Sequence, residues 1–247
     1  MLRPLLSIIT VTHNDLEGAH RTLKSLEPIL SGAGPKVSIH VVDGGTTGFL
    51  DSDLRKYMAS VDIVSEKDAG IYDAMNKGLN RAAGRYVWFL NGGDESLIRD
   101  WSVLERSLEN ANDRLIFCSY EMNLFGKSKT RRPRRHRYIK HGLPTSHQAI
   151  FYPTRFMTNP AYDCSYVVAG DYHLTASLIA AGVQSTNSDL VVAHFGDAGW
   201  SATNARRLIE EAGRVQRDVL GVNRFGLLKS MAHHQISCRV RALISNA

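Results

Sequence analysis

Cysteine is scarce in this chain: Cys118, Cys164 and Cys238 are the whole set, and no two are spaced as a pair. An odd, scattered set provides neither a disulfide framework nor a zinc site and points to a reduced, cytosolic setting. Long apolar runs are missing too. No stretch approaches the roughly 18 residues that a membrane span needs, and Leu5–Val11 is too short and too weakly flanked for a signal peptide. No internal repeat is found. Neither common phosphate-loop signature is present: no G-x-G-x-x-G follows the first apolar run, and G-x-x-x-x-G-K-[ST] does not occur. A dinucleotide site and a P-loop are therefore disfavoured. Acids are missing from two segments. Lys127–His141 holds eight Lys/Arg and no Asp or Glu, and Arg224 to the end holds Arg224, Lys229, Arg239 and Arg241 and again no acid. The first segment alone exceeds the net charge of +6, so the remainder of the chain is weakly acidic. Basicity this local argues for two contact surfaces and against a generally cationic nucleic-acid binder.

What is present reads as α/β. A chain of 247 residues, 43% of them apolar, is long enough for one large domain with a substantial core. Leu5–Thr12 is a β-branched run, and Asn14 or Asp15 can cap the helix that follows, which carries Leu16, Ala19, Leu23 and Leu26 and fades at Ser31–Pro35. Further strands are expected at Val37–Val42, Val61–Val64 and Tyr86–Leu90, with helices at Phe49–Met58 and from Ile71 through Met75 and Leu79 to Ala82. This alternation predicts a mostly parallel sheet flanked by helices. Beyond Trp101–Leu108 (helix) and Leu115–Tyr120 (strand) it breaks down. Lys127–Tyr138 is expected as a mobile loop or hairpin, Gln148–Tyr152 and Leu190–Phe195 as strands, and Tyr172–Ala181 and Asn204–Leu220 as helices. An amphipathic helix is expected over Phe225–Ile244.

Each strand of the first half ends in polar or glycine residues: Thr12-His-Asn, Asp43-Gly-Gly, Glu66-Lys-Asp and Asn91-Gly-Gly-Asp. Ligands of open α/β sheets bind beyond the carboxyl ends of strands, so four such ends suit a nucleotide-sized crevice. In Arg85–Glu95 an aromatic strand runs straight into a glycine turn that ends on Asp94. A carboxylate there suits a hydrated divalent cation bridging to phosphates, and a plain polar turn is the simpler alternative.

Four stretches in this order resemble the family 2 glycosyltransferases with a GT-A fold: Ser7-Ile-Ile-Thr-Val-Thr-His-Asn14, Val41-Val-Asp-Gly-Gly45, Ser65-Glu-Lys-Asp-Ala-Gly-Ile-Tyr-Asp-Ala-Met-Asn-Lys-Gly78 and Phe89-Leu-Asn-Gly-Gly-Asp94. Ser146-His-Gln-Ala149 and Ala169-Gly-Asp-Tyr-His-Leu174 extend the match over about residues 5–205. Within the family the chain is most similar to transferases of colanic-acid-type bacterial exopolysaccharide synthesis. The resemblance implies a catalytic domain over 1–222, with a nucleotide half near 1–98 and an acceptor half near 99–222, followed by a C-terminal amphipathic helix over 223–247. It also implies an inverting hexosyl- or deoxyhexosyltransferase that uses a UDP- or GDP-linked sugar with Mn²⁺ or Mg²⁺. One departure stands out, since the family often has two adjacent acids at the metal turn and here Gly93 precedes Asp94.

On this reading Asp94 is the metal anchor, and Thr12, Asp43, Asp68 and Asn76 line the donor nucleotide. A turn cap is the lesser alternative for Asp43, and capping or solvating the following helix is an equal alternative for Asp68 and Asn76. Asp171 is the expected general base, with an ordinary helix cap as the alternative. His147, Gln148 and Trp200 are expected at the acceptor, with His194 beside them, although a buried structural histidine is as natural a reading of His147. The acceptor is expected to be a saccharide on a polyprenyl diphosphate. Binding would then occur at the anionic inner face of the plasma membrane, aided by both basic segments. Two other classes fit less well. A sugar-nucleotide pyrophosphorylase should carry a G-x-G-T-R-type loop after the first strand, where Thr12-His-Asn-Asp stands instead. A nucleic-acid binder should interleave aromatics with its cations, and the 127–141 run has only Tyr138.

Overall fold

A computed structural model describes residues 3–124, 127–195, 204–227 and 230. Its centre is a nine-stranded sheet in the order β3-β2-β1-β4-β8-β6-β9-β5, with β7 paired to β6 outside that path. The strands are β1 (Leu6–Thr12), β2 (Val37–Asp43), β3 (Asp62–Ser65), β4 (Tyr86–Phe89), β5 (Glu95–Ser96), β6 (Leu115–Leu124), β7 (Lys127–Arg131), β8 (Ile150–Pro153) and β9 (Ser185–Phe195). The helices are α1 (Leu16–Ala33), α2 (Ile71–Arg81), α3 (Trp101–Asn110), α4 (Gly170–Ala180) and α5 (Ala205–Asp218).

The first half of the chain is the parallel array that the alternation predicts. β1 runs parallel to both β2 and β4, and β2 parallel to β3. Every residue of β1 is buried, as expected for a strand covered on both faces, and its near-continuous apolar sequence reflects this. Because side chains alternate, Leu6 and Ile8 join one layer with Leu23 and Leu26 of α1 and Leu104 of α3. Ile9 and Val11 join the opposite layer with Met75 of α2, Leu174 of α4 and Val215 of α5.

The sheet is mixed beyond β4. β8 enters antiparallel between β4 and β6, whereas β6 and β9 run parallel. Several elements differ from their sequence reading. Phe49–Met58 is two 3₁₀ turns, Phe49–Asp51 and Asp53–Tyr57, because Ser52 between them is extended and caps the second through Leu54. Asp15, not Asn14, caps α1, accepting from the Gly18 amide. Gln148 lies outside its expected strand, in a 3₁₀ turn over His147–Ala149 that precedes β8. Of the basic run, Lys127–Arg131 is one arm of a hairpin on β6. Most of the expected helix over Phe225–Ile244 lies outside the described residues. No described helix is long and apolar enough to cross a membrane.

Close approach of backbones sets one position tightly. The Gly84 amide, just before β4, donates to the Ser7 hydroxyl of β1 at 2.9 Å. A β-carbon at 84 would lie 2.5 Å from the Ser7 nitrogen and 2.7 Å from the Leu6 carbonyl carbon, both backbone atoms that cannot swing aside. Gly84→Ala should therefore destabilise the fold by about 1–3 kcal/mol, as overpacking does. A urea midpoint that does not move would show that the β1–β4 pair can separate locally.

Candidate active site

The carboxyl ends of β1, β2 and β3 meet in one row, with Thr12 beside Asp43 and Asp43 beside Ser65. Asp43 is fully buried and holds the row together. Its Oδ2 accepts from the Gly45 and Thr46 amides (3.1 and 2.7 Å) and the Ser65 hydroxyl (2.6 Å), and its Oδ1 accepts from the Thr46 hydroxyl (2.5 Å). The turn after β2 is thus fixed by the carboxylate that ends the strand. Asp68 accepts from the Gly70 amide at 3.0 Å, and its other oxygen reaches over Gly44 together with His13. Thr12, Asp43 and Asp68 therefore share one locality.

Asn76 lies elsewhere. Its side-chain amide donates to the Tyr162 carbonyl (2.9 Å) and accepts from the Ala161 and Tyr162 amides (3.1 and 2.9 Å). Both ends of the group are committed to the 161–164 segment, so Asn76 clasps the two halves of the domain.

The turn after β4 is held against α1. The Thr22 hydroxyl accepts from the Gly93 amide (3.0 Å) and donates to the Asp94 carbonyl (2.6 Å). Gly93 has φ of +93°, a conformation that favours glycine. The turn presents one carboxylate, and an acid in place of Gly93 would be strained there. Burial pushes Asp94 up to about 7, opposed by hydrogen bonds from Gln148 and the Asn91 backbone. Gln148 Nε2 donates to Asp94 Oδ2 at 2.9 Å. Among the described residues no three His, Cys, Asp or Glu side chains form a metal cage. A lone carboxylate fits a hard cation that takes its remaining ligands from diphosphate oxygens and water.

Asp171 lies in the first turn of α4. It does not cap that helix: the cap position is Ala169. His147 bridges the two sides, with Nδ1 3.5 Å from Asp171 Oδ2 and Nε2 3.2 Å from Asn91 Nδ2. Since the Asn91 amide can only donate, Nε2 is the acceptor and Nδ1–H faces the carboxylate. Burial raises Asp171 above the usual carboxylate range, with His147 opposing, and burial lowers His147. A neutral histidine thus steadies a carboxylate made more basic by its surroundings.

Glu211 of α5 fixes the loop that carries Asp171. It accepts from the Val167, Val168 and Ala169 amides at 2.9–3.1 Å and from Arg207 Nε at 2.9 Å. Sequence reading missed it, because a Glu four residues after an Arg resembles a solvated helix pair. The available signal was its place beside Ala212 on the apolar face of α5. Asn91 lay inside a recognised motif without a role, and Thr22 carried no polar signal at all. Trp200 lies outside the described residues. His194 sits on β9, paired with Glu95 and 3.3 Å from Asn123 Oδ1.

A parallel half-sheet with a row of polar strand ends, a carboxylate turn after β4 and a second carboxylate tied to it through His147–Gln148 is the arrangement of a GT-A glycosyltransferase. The chain belongs to glycosyl transferase family 2, whose profile matches residues 7–167. It is 35% identical over 96 residues to two uncharacterized glycosyltransferases of Mycobacterium tuberculosis, MT1564 and Rv1514c. That match covers 37% of this chain and 34% of each relative. Among solved structures, TarS 1-349 of S. aureus in complex with UDP-GlcNAc superposes with a TM-score of 0.64 at 15% identity, covering 93% of this chain and 71% of that one. The mannosyltransferase PcManGT of Pyrobaculum calidifontis, in complex with GDP-Man and Mn²⁺, superposes with a TM-score of 0.65 at 16% identity, covering 98% and 72%. At these identities the superpositions speak for the fold alone.

Glu211 gives a test that needs no substrate. Burial opposes its ionisation, but its hydrogen bonds to Ala169, Val168, Arg207 and Val167 prevail and hold it below the ordinary Glu range. A depressed carboxylate stabilises the fold above its unfolded pKa and loses that contribution as pH falls through the folded value. Glu211→Gln should therefore cost about 1–3 kcal/mol at neutral pH, and the gap to wild type should narrow in acid. Chemical denaturation at two pH values reads this directly, and a gap independent of pH would mean that the charge is immaterial.

Proposed function

We propose that the protein is an inverting glycosyltransferase that moves a hexosyl or deoxyhexosyl group from a UDP- or GDP-linked donor to a saccharide acceptor. The carrying observation is that two successive residues, His147 and Gln148, each engage one of two carboxylates: His147 approaches Asp171 and Gln148 binds Asp94. Donor and acceptor chemistry are thereby tied to one turn. Thr12, Asp43 and Asp68 surround the donor nucleotide, with Asp43 acting through the turn it braces, while Asn76 acts as a clasp instead of a ligand.

Asp94 would hold Mn²⁺ or Mg²⁺, and such an ion, when bound with the donor, would offset the charge on the departing diphosphate. Asp171 accepts the proton of the acceptor hydroxyl as that oxygen bonds to the anomeric carbon. The bond from that carbon to the diphosphate oxygen breaks on the opposite face, and the electron pair leaves with the diphosphate. A base of raised pKa suits proton transfer near neutral pH. His147 orients Asp171, and Gln148 stays free to meet sugar hydroxyls when the ion takes Asp94.

The neighbours solved with UDP-GlcNAc and with GDP-Man and Mn²⁺ support a nucleotide-sugar donor. The role in exopolysaccharide synthesis, the polyprenyl-diphosphate-linked acceptor and the peripheral site at the inner membrane rest on the sequence resemblance and on the exposed cations of the hairpin, Lys127, Lys129 and Arg131.

Screening UDP- and GDP-sugars by thermal shift with Mn²⁺ should identify the donor. With that donor, Asp171→Asn should lower the rate about 10²–10⁴-fold while donor binding stays nearly unchanged. A parallel loss of donor affinity would reassign Asp171 to binding. The acid limb of the wild-type rate profile should lie above the ordinary Asp range, because the base must be ionised and its pKa is raised.

Asp94→Ala should abolish transfer and leave the fold intact. Retention of more than about a hundredth of the rate, where transition-state charge stabilisation is worth several kcal/mol, would remove the residue from the metal site.

A further inference from the structure

A cavity of about 480 Å³ lies in the basic segment and is lined by Arg134, Arg135, Arg137, Tyr138, Lys140 and His141. It is separate from the transfer site. From Arg132 the chain descends along β9, with Arg132 3.8 Å from Asp189, Asn187 donating to the Arg134 carbonyl at 3.2 Å, and His136 2.7 Å from the Ser185 hydroxyl. Ser185 opens β9 and is level with Leu115, which opens β6. β4 is antiparallel to β8, which is antiparallel to β6, so β4 runs in the same direction as β6 and β9. Asp94 follows the finish of β4, whereas the cavity lies where β6 and β9 begin.

The floor of the cavity is firmly built. Ile139 is buried, and its carbonyl accepts from the Tyr172 hydroxyl of α4 at 2.5 Å. The His141 carbonyl accepts from Gln216 of α5 at 3.2 Å, and the Arg134 amide donates to the Pro144 carbonyl at 2.7 Å. Arg134 stacks on the Tyr138 ring, 4.1 Å from its centroid, which orients its guanidinium in advance of any ligand. Among the described residues none of the four Lys/Arg heads has a carboxylate within ion-pair distance, although Arg132 next to them has one. Four like charges gathered on a fixed floor repel one another, and a multivalent anion relieves that repulsion. Guanidinium groups match phosphate oxygens in paired hydrogen bonds, and a terminal phosphate offers three such oxygens.

We propose that this cavity is a binding site for a terminal, doubly charged phosphate group, such as that of a phosphomonoester or a diphosphate, remote from the transfer site. The group could be carried by a lipid headgroup or by a soluble molecule. A singly charged phosphodiester, with fewer free oxygens, is a poorer fit.

The test is calorimetric titration of the full chain with inorganic pyrophosphate in EDTA, so that no divalent ion recruits it to Asp94. One saturable site is expected. Arg135→Gln/Arg137→Gln should weaken it at least about tenfold, since each charge-assisted pair is worth more than a neutral hydrogen bond. Lys127→Gln/Lys129→Gln removes the same charge from the exposed hairpin and should change affinity by less than about twofold, the scale of screened surface charge. Asp94→Ala should leave it unchanged, so this site and the transfer mechanism stand or fall separately.

Flotation with phosphatidylcholine vesicles containing phosphatidic acid, and with vesicles containing phosphatidylglycerol, identifies the source. Flotation on phosphatidic acid that is lost in the Arg135/Arg137 variant supports a lipid headgroup. Pyrophosphate binding without flotation supports a soluble phosphate. Absence of saturable pyrophosphate binding, or equal losses in the two double variants, would overturn the proposal.

Discussion

Two carboxylates, Asp94 and Asp171, depend on the turn at His147–Gln148. Its position comes from the core: Trp88 of β4, fully buried, donates its indole N–H to the Gln148 carbonyl at 2.7 Å. The turn closes on itself through the Ala149 amide and the Ser146 carbonyl, then runs directly into β8. The side chains of its first two residues reach opposite carboxylates. Burial makes both Asp94 and Asp171 harder to ionise, and the turn supplies each with a polar neighbour. Any shift of Trp88 would therefore reach the surroundings of Asp94 and Asp171 together.

α2 has a different part from the one its motif suggests. The stretch from Ile71 to Gly78 is among the most distinctive in the chain and invites a nucleotide-binding reading. In the structure it works mainly as a bracket. Tyr72 donates to the Val168 carbonyl at 2.7 Å, and Asn76 clasps the Ala161–Tyr162 backbone. The helix and Glu211 thereby both hold the segment that leads to Asp171. A motif can be specific because many neighbours constrain it, even where the residues touch no ligand.

The first half of the fold was legible because β1, β2 and β4 are buried, mostly apolar runs followed by polar or glycine residues. Asp94 and Asp171 stood out because each follows a glycine at the edge of an element. The second half was harder to read, since antiparallel pairing and 3₁₀ turns leave no fixed hydrophobic period. Ser52 split an expected helix with one extended residue, and Gln148 fell one turn short of its strand. Whether Asp43 braces a turn or meets a ligand depends on the direction of its oxygens, which pattern alone does not encode. Asn76 and Glu211 act on backbone groups 85 and 42–44 positions away, and no local spacing carries such partners.

The placement of β8 bears on how the protein comes into being on the ribosome. β1, β2, β3 and β4 are complete within the first 89 residues and pair only in parallel among themselves. The open edge of β4 is covered only when residues 150–153 arrive. Until then a nascent chain exposes Trp88 and Phe89 along an unpaired strand, the kind of edge that invites association with other chains. Slow translation between β4 and β8 would prolong that exposure, and a chaperone that shields aromatic strands would shorten it.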